Sequence, residues 1–171
     1  MAIGSVMYSM ISTRPDIAFS ISLLSRFMSN PGRDHWAALK WLLRYLNGTL
    51  DWGLHYHNWS DFELIRFVDS DFAGDKDGRR STTSYFFTLA GNCISWKSQL
   101  QPVVALSTTE AEYIAATEAI KEAILLQGRG LPVTLVTAEA DSEGAISDIP
   151  AAYSRRLDVA LLLLSDRSSA R

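Results

Sequence analysis

A single cysteine is all that this chain of 171 residues holds, so no disulfide can close within it. Cys93, set in Asn92-Cys93-Ile94-Ser95-Trp96, reads as a small core residue in a reducing, intracellular compartment. Cysteine-rich zinc spacings are excluded with it. Histidine is scarce as well: His55 and His57 flank Tyr56 on an expected strand, where their rings share a face but have no third ligand in reach, and a surface pair is the reading. Neither sign of charge dominates. With 16 Lys and Arg against 19 Asp and Glu the net charge is −3, which gives no global pull towards nucleic acid and leaves any such binding to local basic patches. Long apolar runs are missing too. The longest, Val159 to Leu164, falls far short of the roughly 20 residues that span a bilayer. At the N-terminus Gly4, Ser5 and Ser9 interrupt the apolar residues, so no secretory signal is visible.

What is present suffices for a core, with 47% hydrophobic and 11% aromatic residues. Three parts follow one another without repeats or low-complexity tracts: residues 1–50, 51–150 and 151–171. The first is expected to be helical. Thr13 and Pro15 start one helix, Asn30-Pro31-Gly32 stops it, and a second runs from Asp34 to Leu46 and ends at Asn47-Gly48. Trp36, Leu39, Leu42, Leu43 and Leu46 supply its apolar stripe. Its cations, Arg33, Lys40 and Arg44, form either a solvated face or a contact for a phosphate backbone.

The second part reads as strands at Asp51–Tyr56, Phe62–Asp69, Ser84–Ala90 and Asn92–Lys97, with Ala90-Gly91-Asn92 suited to a tight hairpin. Between the second and third, Ala73-Gly74-Asp75-Lys76-Asp77-Gly78-Arg79-Arg80 is a polar turn. Its cations Lys76, Arg79 and Arg80 suit either plain solvent exposure or a polyanion's backbone. Lys97, beside Trp96, is a further candidate for that backbone. A long helix then runs from Ser107 to Leu126, with Ser107 and Glu110 as a capping box, so the hydroxyls of Ser107, Thr108 and Thr109 read as caps rather than nucleophiles. Val133–Thr137 is a last expected strand. The order is an α/β pattern with an antiparallel hairpin at its start.

Two carboxylates stand out. Asp69 closes the hydrophobic strand Leu64-Ile65-Arg66-Phe67-Val68, and at 100° per residue Glu112 falls near the centre of an apolar arc containing Tyr113, Ala115, Ala119, Ile120, Ala123, Ile124 and Leu126. A carboxylate aimed at a core requires a partner, a proton or a metal. Alanines beside Glu112 would let the helix approach a sheet closely enough to bring Asp69 to it.

Three stretches together carry a resemblance: Phe67-Val68-Asp69-Ser70-Asp71-Phe72-Ala73-Gly74-Asp75, Ser95-Trp96-Lys97-Ser98-Gln99-Leu100-Gln101 and Ala105-Leu106-Ser107-Thr108-Thr109-Glu110-Ala111-Glu112-Tyr113. They resemble the ribonuclease H domain of copia-type retrotransposon Pol polyproteins. Upstream, Ser12-Thr13-Arg14-Pro15-Asp16-Ile17, Ser25-Arg26-Phe27-Met28 and Leu43-Arg44-Tyr45-Leu46-Asn47-Gly48-Thr49 resemble the segment joining the reverse transcriptase to that domain. The resemblance covers residues from about 3 to 127.

It implies a ribonuclease H-like mixed sheet with flanking helices, preceded by a small helical segment. It also implies Mg²⁺- or Mn²⁺-dependent hydrolysis of the RNA strand of an RNA–DNA hybrid, in an intracellular, cytoplasmic setting or a virus-like particle, with the rest of a Pol polyprotein as a partner. Asp69 and Glu112 match the family's first two metal ligands, and Asp141, in Asp141-Ser142-Glu143-Gly144, is the candidate for the third. Residues Thr137-Ala138-Glu139-Ala140 intervene where the strand should run almost directly into that Asp. The chain ends at Arg171 before a recognisable last motif, so the fourth acid and the C-terminal part of the fold are expected to be missing. The reverse transcriptase's paired aspartates have no counterpart before residue 50, which excludes polymerase activity as an expectation. Two functional classes follow: a hybrid-specific endonuclease, and a catalytically inactive remnant that binds nucleic acid weakly or not at all.

Overall fold

A computed structural model describes residues 2–56, 64–131 and 136–138, in two compact units that part between Leu54 and His55. Among the described residues no helix is long and apolar enough to cross a membrane.

The first unit is helical, as expected, with different punctuation. Helix α1 spans Ala2–Ser12, a 3-10 turn covers Pro15–Ile17, and α2 and α3 span Ala18–Ser25 and Arg33–Asn47. Pro15, whose missing N–H and fixed φ suit a first helical turn, opens the 3-10 turn, and α2 starts only after it. Val6, Ile17, Ile21, Leu24, Leu39 and Leu42 form its core. The stripe expected on α3 is narrower than its apolar residues suggest, because Trp36 and Leu43 face solvent and only Leu39 and Leu42 are fully buried. Gly32 N–H donates to His35 Nδ1 at 3.0 Å, and the imidazole stacks on Phe27 at 4.1 Å, which ties the start of α3 to the turn before it.

A buried polar network closes this unit. The Arg14 guanidinium donates to both Asp16 carboxylate oxygens at 2.9 and 2.8 Å, to the Thr49 carbonyl at 3.1 Å and to Thr49 Oγ1 at 2.7 Å. Tyr45 Oη donates to Asp16 at 2.9 Å, while Thr49 Oγ1 donates to the Tyr45 carbonyl. The Asp16 hydrogen bond raises the Arg14 pKa, and burial, followed by the Asp16 charge, pushes the Tyr45 phenol up to about 12. The planar guanidinium fork is what lets one side chain bind four acceptors at the end of α3.

The second unit is a mixed α/β layer, which bears out the expected fold class. Its sheet has the order β3-β2-β1-β4, from β1 (Leu64–Ser70), β2 (Thr82–Leu89), β3 (Asn92–Leu100) and β4 (Val136–Ala138). Strands β1, β2 and β3 form an antiparallel meander, and β4 pairs in parallel with β1 after the crossover helix α4 (Thr108–Gly128). At the β2–β3 hairpin Ala90 and Gly91 both have positive φ, 49° and 73°, the backbone of a two-residue turn matched to strand twist. Ile94 is the extra residue of a bulge, since Phe87 pairs with Ser95 but Thr88 with Cys93. Residues 51–56 form no strand. They are a turn and irregular chain, in which the Tyr56 hydroxyl donates to the Cys93 carbonyl at 3.1 Å. His57 lies outside the described residues.

Helix α4 packs through Ala111, Ala115, Ala119 and Ala123, four residues apart, with Leu126 at the end. The alanine stripe lies on Leu64, Tyr85 and Phe87, with Val68 and Ile94 at the margin. Small side chains at this spacing let the helix sit close to the strands. Cys93 is buried and free, and burial pushes its thiol up to about 12, which leaves no reactive thiolate.

Candidate functional site

Strand β1 presents Leu64, Arg66, Val68 and Ser70 to α4, and by alternation Ile65, Phe67 and Asp69 to the opposite side of the sheet. Phe67 stacks on Phe86 there, at 4.5 Å between ring centres. Asp69 is exposed near the end of the strand, and its Oδ1 accepts the Ser70 N–H at 2.8 Å.

Glu112 is exposed too, which corrects the expectation of a carboxylate aimed at the core. The angular position was right, since Glu112 precedes Ala115 and Ala119 on the same side of α4. Its height along the helix was invisible in the sequence. Glu112 lies in the second turn, next to Ala111, whose carbonyl is tied through Gln101 to Ser70, the last residue of β1. The apolar arc was also too broad: Tyr113, Ile120 and Ile124 are exposed, and only the alanine stripe and Leu126 are buried.

Gln101 defines that level. Only 2% exposed, its Nε2 lies 3.1 Å from Ser70 Oγ, 3.0 Å from Thr83 Oγ1 and 2.9 Å from the Ala111 carbonyl. The amide therefore fastens the ends of β1 and β2 to the first turns of α4. Asp69 and Glu112 are each the chain neighbour of a residue in this clamp, so the segments that bear them meet at one corner of the unit, with Asp69 on the face away from α4. Sequence reasoning assigned Gln101 no role; an amide directly after a β strand and just before Pro102 was the available sign.

The connection from β1 to β2 leaves from this corner. Asp71 holds its base: the carboxylate accepts the Thr82 N–H, and Asp71 N–H donates to the Thr82 carbonyl at 3.3 Å. A Cβ on Gly74 would stand 2.1 Å from Asp71 Oδ2, so only glycine lets the chain pass the carboxylate this closely. Asp75 organises the tip, its carbonyl accepting the Arg79 N–H at 2.7 Å and its Oδ2 accepting the Gly78 N–H at 3.2 Å. Lys76 and Arg79 are exposed at this tip, and Arg80 Nε lies 4.0 Å from Asp75. Lys97 points to the α4 side instead. Its Nζ lies 3.8 Å from Glu118, which Lys121 also holds, and hydrogen bonding to Lys121 keeps the Glu118 carboxyl below its ordinary value. A cleft of about 90 Å³ lies beside it, lined by Thr83, Lys97, Gln99, Gln101, Ile114 and Glu118.

Among the described residues, no three of the His, Cys, Asp and Glu side chains come together to hold a metal ion. Asp141, the expected third ligand, lies outside the described residues. The donors that are present nevertheless suit Mg²⁺, which takes hard oxygen ligands and is commonly held by one or two carboxylates with water and substrate phosphate completing its shell. Asp69 and Glu112 are two exposed carboxylates on segments that meet at one corner, from which the loop that carries cations leaves.

No family model matches the chain, and no solved structure matches it. It is 52% identical over 149 residues to the retrovirus-related Pol polyprotein of transposon TNT 1-94 from Nicotiana tabacum, covering 85% of this chain and 11% of that protein. It is 48% identical over 128 residues to the secreted RxLR effector protein 161 of Plasmopara viticola, covering 75% of this chain and 90% of that protein. The Pol polyprotein of transposon RE2 from Arabidopsis thaliana matches at 43% over 111 residues, which is 65% of this chain and 8% of that protein. The chain thus spans about a tenth of the length of the Pol polyproteins it matches. At 52% identity over 85% of its length to one of them, the chain belongs to the retrovirus-related Pol polyproteins of copia-type transposons.

Proposed function

We propose that the second unit is the ribonuclease H-like part of such a polyprotein and hydrolyses the RNA strand of RNA–DNA hybrids with Mg²⁺, or Mn²⁺ in its place. The observation that carries this reading is the Gln101 clamp, which draws the segments bearing the exposed Asp69 and Glu112 to one corner. Asp69 and Glu112 hold the divalent cation, with Asp141 completing the set. The bound ion supplies Lewis-acid polarisation of the scissile phosphate and activation of water. The remaining work belongs to the chain's own residues. Lys76, Arg79 and Arg80 leave the same end of the sheet and hold the hybrid's backbone by charge, which requires no reading of base sequence. Asp71 fixes the base of that loop, so the cations keep their distance from the carboxylates.

A second reading is a catalytically inactive remnant. The Plasmopara viticola relative favours it, because a protein of which this chain covers 90% bears the name of a secreted effector rather than of a polyprotein. Cleavage of a labelled RNA–DNA hybrid in Mg²⁺, with duplex RNA and duplex DNA as controls, separates the two. Cleavage of the hybrid alone, abolished by Asp69→Asn and by Glu112→Gln in folded protein, establishes the nuclease. No cleavage by a folded parent chain sinks it and leaves the remnant.

A further inference from the structure

The solvent face of α3 has a composition its fold does not use. Trp36 is 54% exposed and Trp41 47% exposed, on a helix of which only Leu39 and Leu42 are buried in the core. Arg33, Lys40 and Arg44 lie on the same exposed side. At 100° per residue Trp36, Lys40, Arg33, Arg44 and Trp41 fall within an arc of roughly 140°. Each indole is matched to a cation: Lys40 Nζ lies 5.8 Å from the Trp36 ring centre, and the Arg44 guanidinium carbon 4.8 Å from that of Trp41. Asp34 is the helix's one acid, in its first turn. In a chain of net charge −3, this helix carries a local positive patch interleaved with two half-exposed indoles.

We infer that this face of α3 binds single-stranded nucleic acid, with Arg33, Lys40 and Arg44 on successive phosphates and the Trp36 and Trp41 rings against unpaired bases. Cations alone would suit any polyanion. The indoles narrow the choice, because a base offers its flat face to a ring only when it is out of a duplex, and the paired cation adds to the stack. The patch runs from Arg33 to Arg44, about 16 Å at the α-helical rise, long enough for several phosphates. The site lies in the first unit and needs no metal, so it is independent of the proposed nuclease.

The test uses the full chain in EDTA, which removes any contribution from a metal at the carboxylate corner. Anisotropy of a labelled oligothymidylate of about twelve nucleotides is compared with a duplex of the same length and with inorganic polyphosphate as competitor. Trp36→Ala with Trp41→Ala is expected to weaken single-strand binding by roughly tenfold or more, with Trp→Tyr at both positions restoring part of it. Lys40→Ala with Arg44→Ala is expected to reduce the slope of log affinity against log salt by about 1.4, from two lost phosphate contacts at roughly 0.7 each. Both positions are exposed, and circular dichroism confirms that the variants keep their helices. Binding of duplex or polyphosphate as tight as that of the single strand overturns the inference. So does unchanged binding in the tryptophan variant, absence of binding by the parent, or a dimeric parent that the tryptophan variant renders monomeric, which would make the face a contact for a second copy.

Discussion

In the first unit, Arg14 and Asp16 turn inward and bind each other, Thr49 and Tyr45 until the guanidinium and carboxylate face protein rather than water. In the second, Asp69 and Glu112 stay in solvent, while the buried polar group beside them is a neutral amide, Gln101. Both sets come from stretches that carry the same family resemblance, yet they do different jobs. A charge enclosed by partners has little left to offer a ligand, and its loss is felt as instability. An exposed charge at a strand end adds little to folding and remains available for chemistry. A motif therefore marks that a residue matters, and burial tells in which way.

The largest effect separating the two sets should come from Arg14→Ala. Removing it strands the Asp16 carboxylate, so we expect a loss of about 3–5 kcal/mol in denaturant unfolding, and a smaller loss for the double variant with Asp16→Ala than the single losses would sum to. Strict additivity would show that the pair is not a unit. Next is the response to metal: at about a hundred times its Kd, Mg²⁺ should stabilise the parent by about 2.7 kcal/mol through mass action, and Asp69→Asn should abolish the shift. An equal shift in both proteins would move the metal away from this corner.

Gln101→Ala should cost about 1–3 kcal/mol, because Ser70, Thr83 and the Ala111 carbonyl lose a shared donor inside the protein. It should also weaken Mg²⁺ binding without touching a ligand, which Gln101→Asn, too short to reach all three acceptors, should reproduce in part. A milder trend belongs to the tyrosines. Burial raises both Tyr45 and Tyr85 to about 12 in the folded state, against about 10 when unfolded. Between these values the unfolded chain loses the phenolic proton first, so stability should fall as pH rises from about 10 to 12, and Tyr85→Phe should flatten the slope seen by thermal unfolding. The smallest effect should be that of Asp69→Asn and Glu112→Gln on metal-free stability, within about 0.5 kcal/mol. A substantially larger change would place these carboxylates in the folding machinery and erase the contrast between the units.

Much of the fold was legible because it is local. Ser107 caps α4 by accepting the Glu110 N–H at 3.1 Å, although the Glu110 carboxylate reaches back to the Leu106 N–H rather than to the cap residue itself. The β2–β3 turn falls where Ala90-Gly91-Asn92 announced it. Periodicity was less reliable about burial. On α3 and α4 the apolar residues cover a wider arc than the neighbouring layer can, so Trp36, Tyr113 and Ile124 emerge on the surface. Aromatic and apolar content suggested a strand at 51–56, but β propensity reflects packing against neighbours more than an intrinsic backbone preference, and these residues belong to no sheet. The Gln101 clamp was hidden for a similar reason: its three acceptors lie 31, 18 and 10 residues away.

By itself the sequence determined the long helices, the β2–β3 hairpin, the cap of α4, the α/β order, and which side of α4 carries Glu112, since these follow from the spacing of neighbours along one backbone. Tertiary structure alone decided that Glu112 is exposed rather than buried, that Arg14 and Asp16 are a closed pair, and that Lys97 belongs to Glu118. Burial and ion pairing depend on what another segment brings alongside, and distance along the chain holds no record of that.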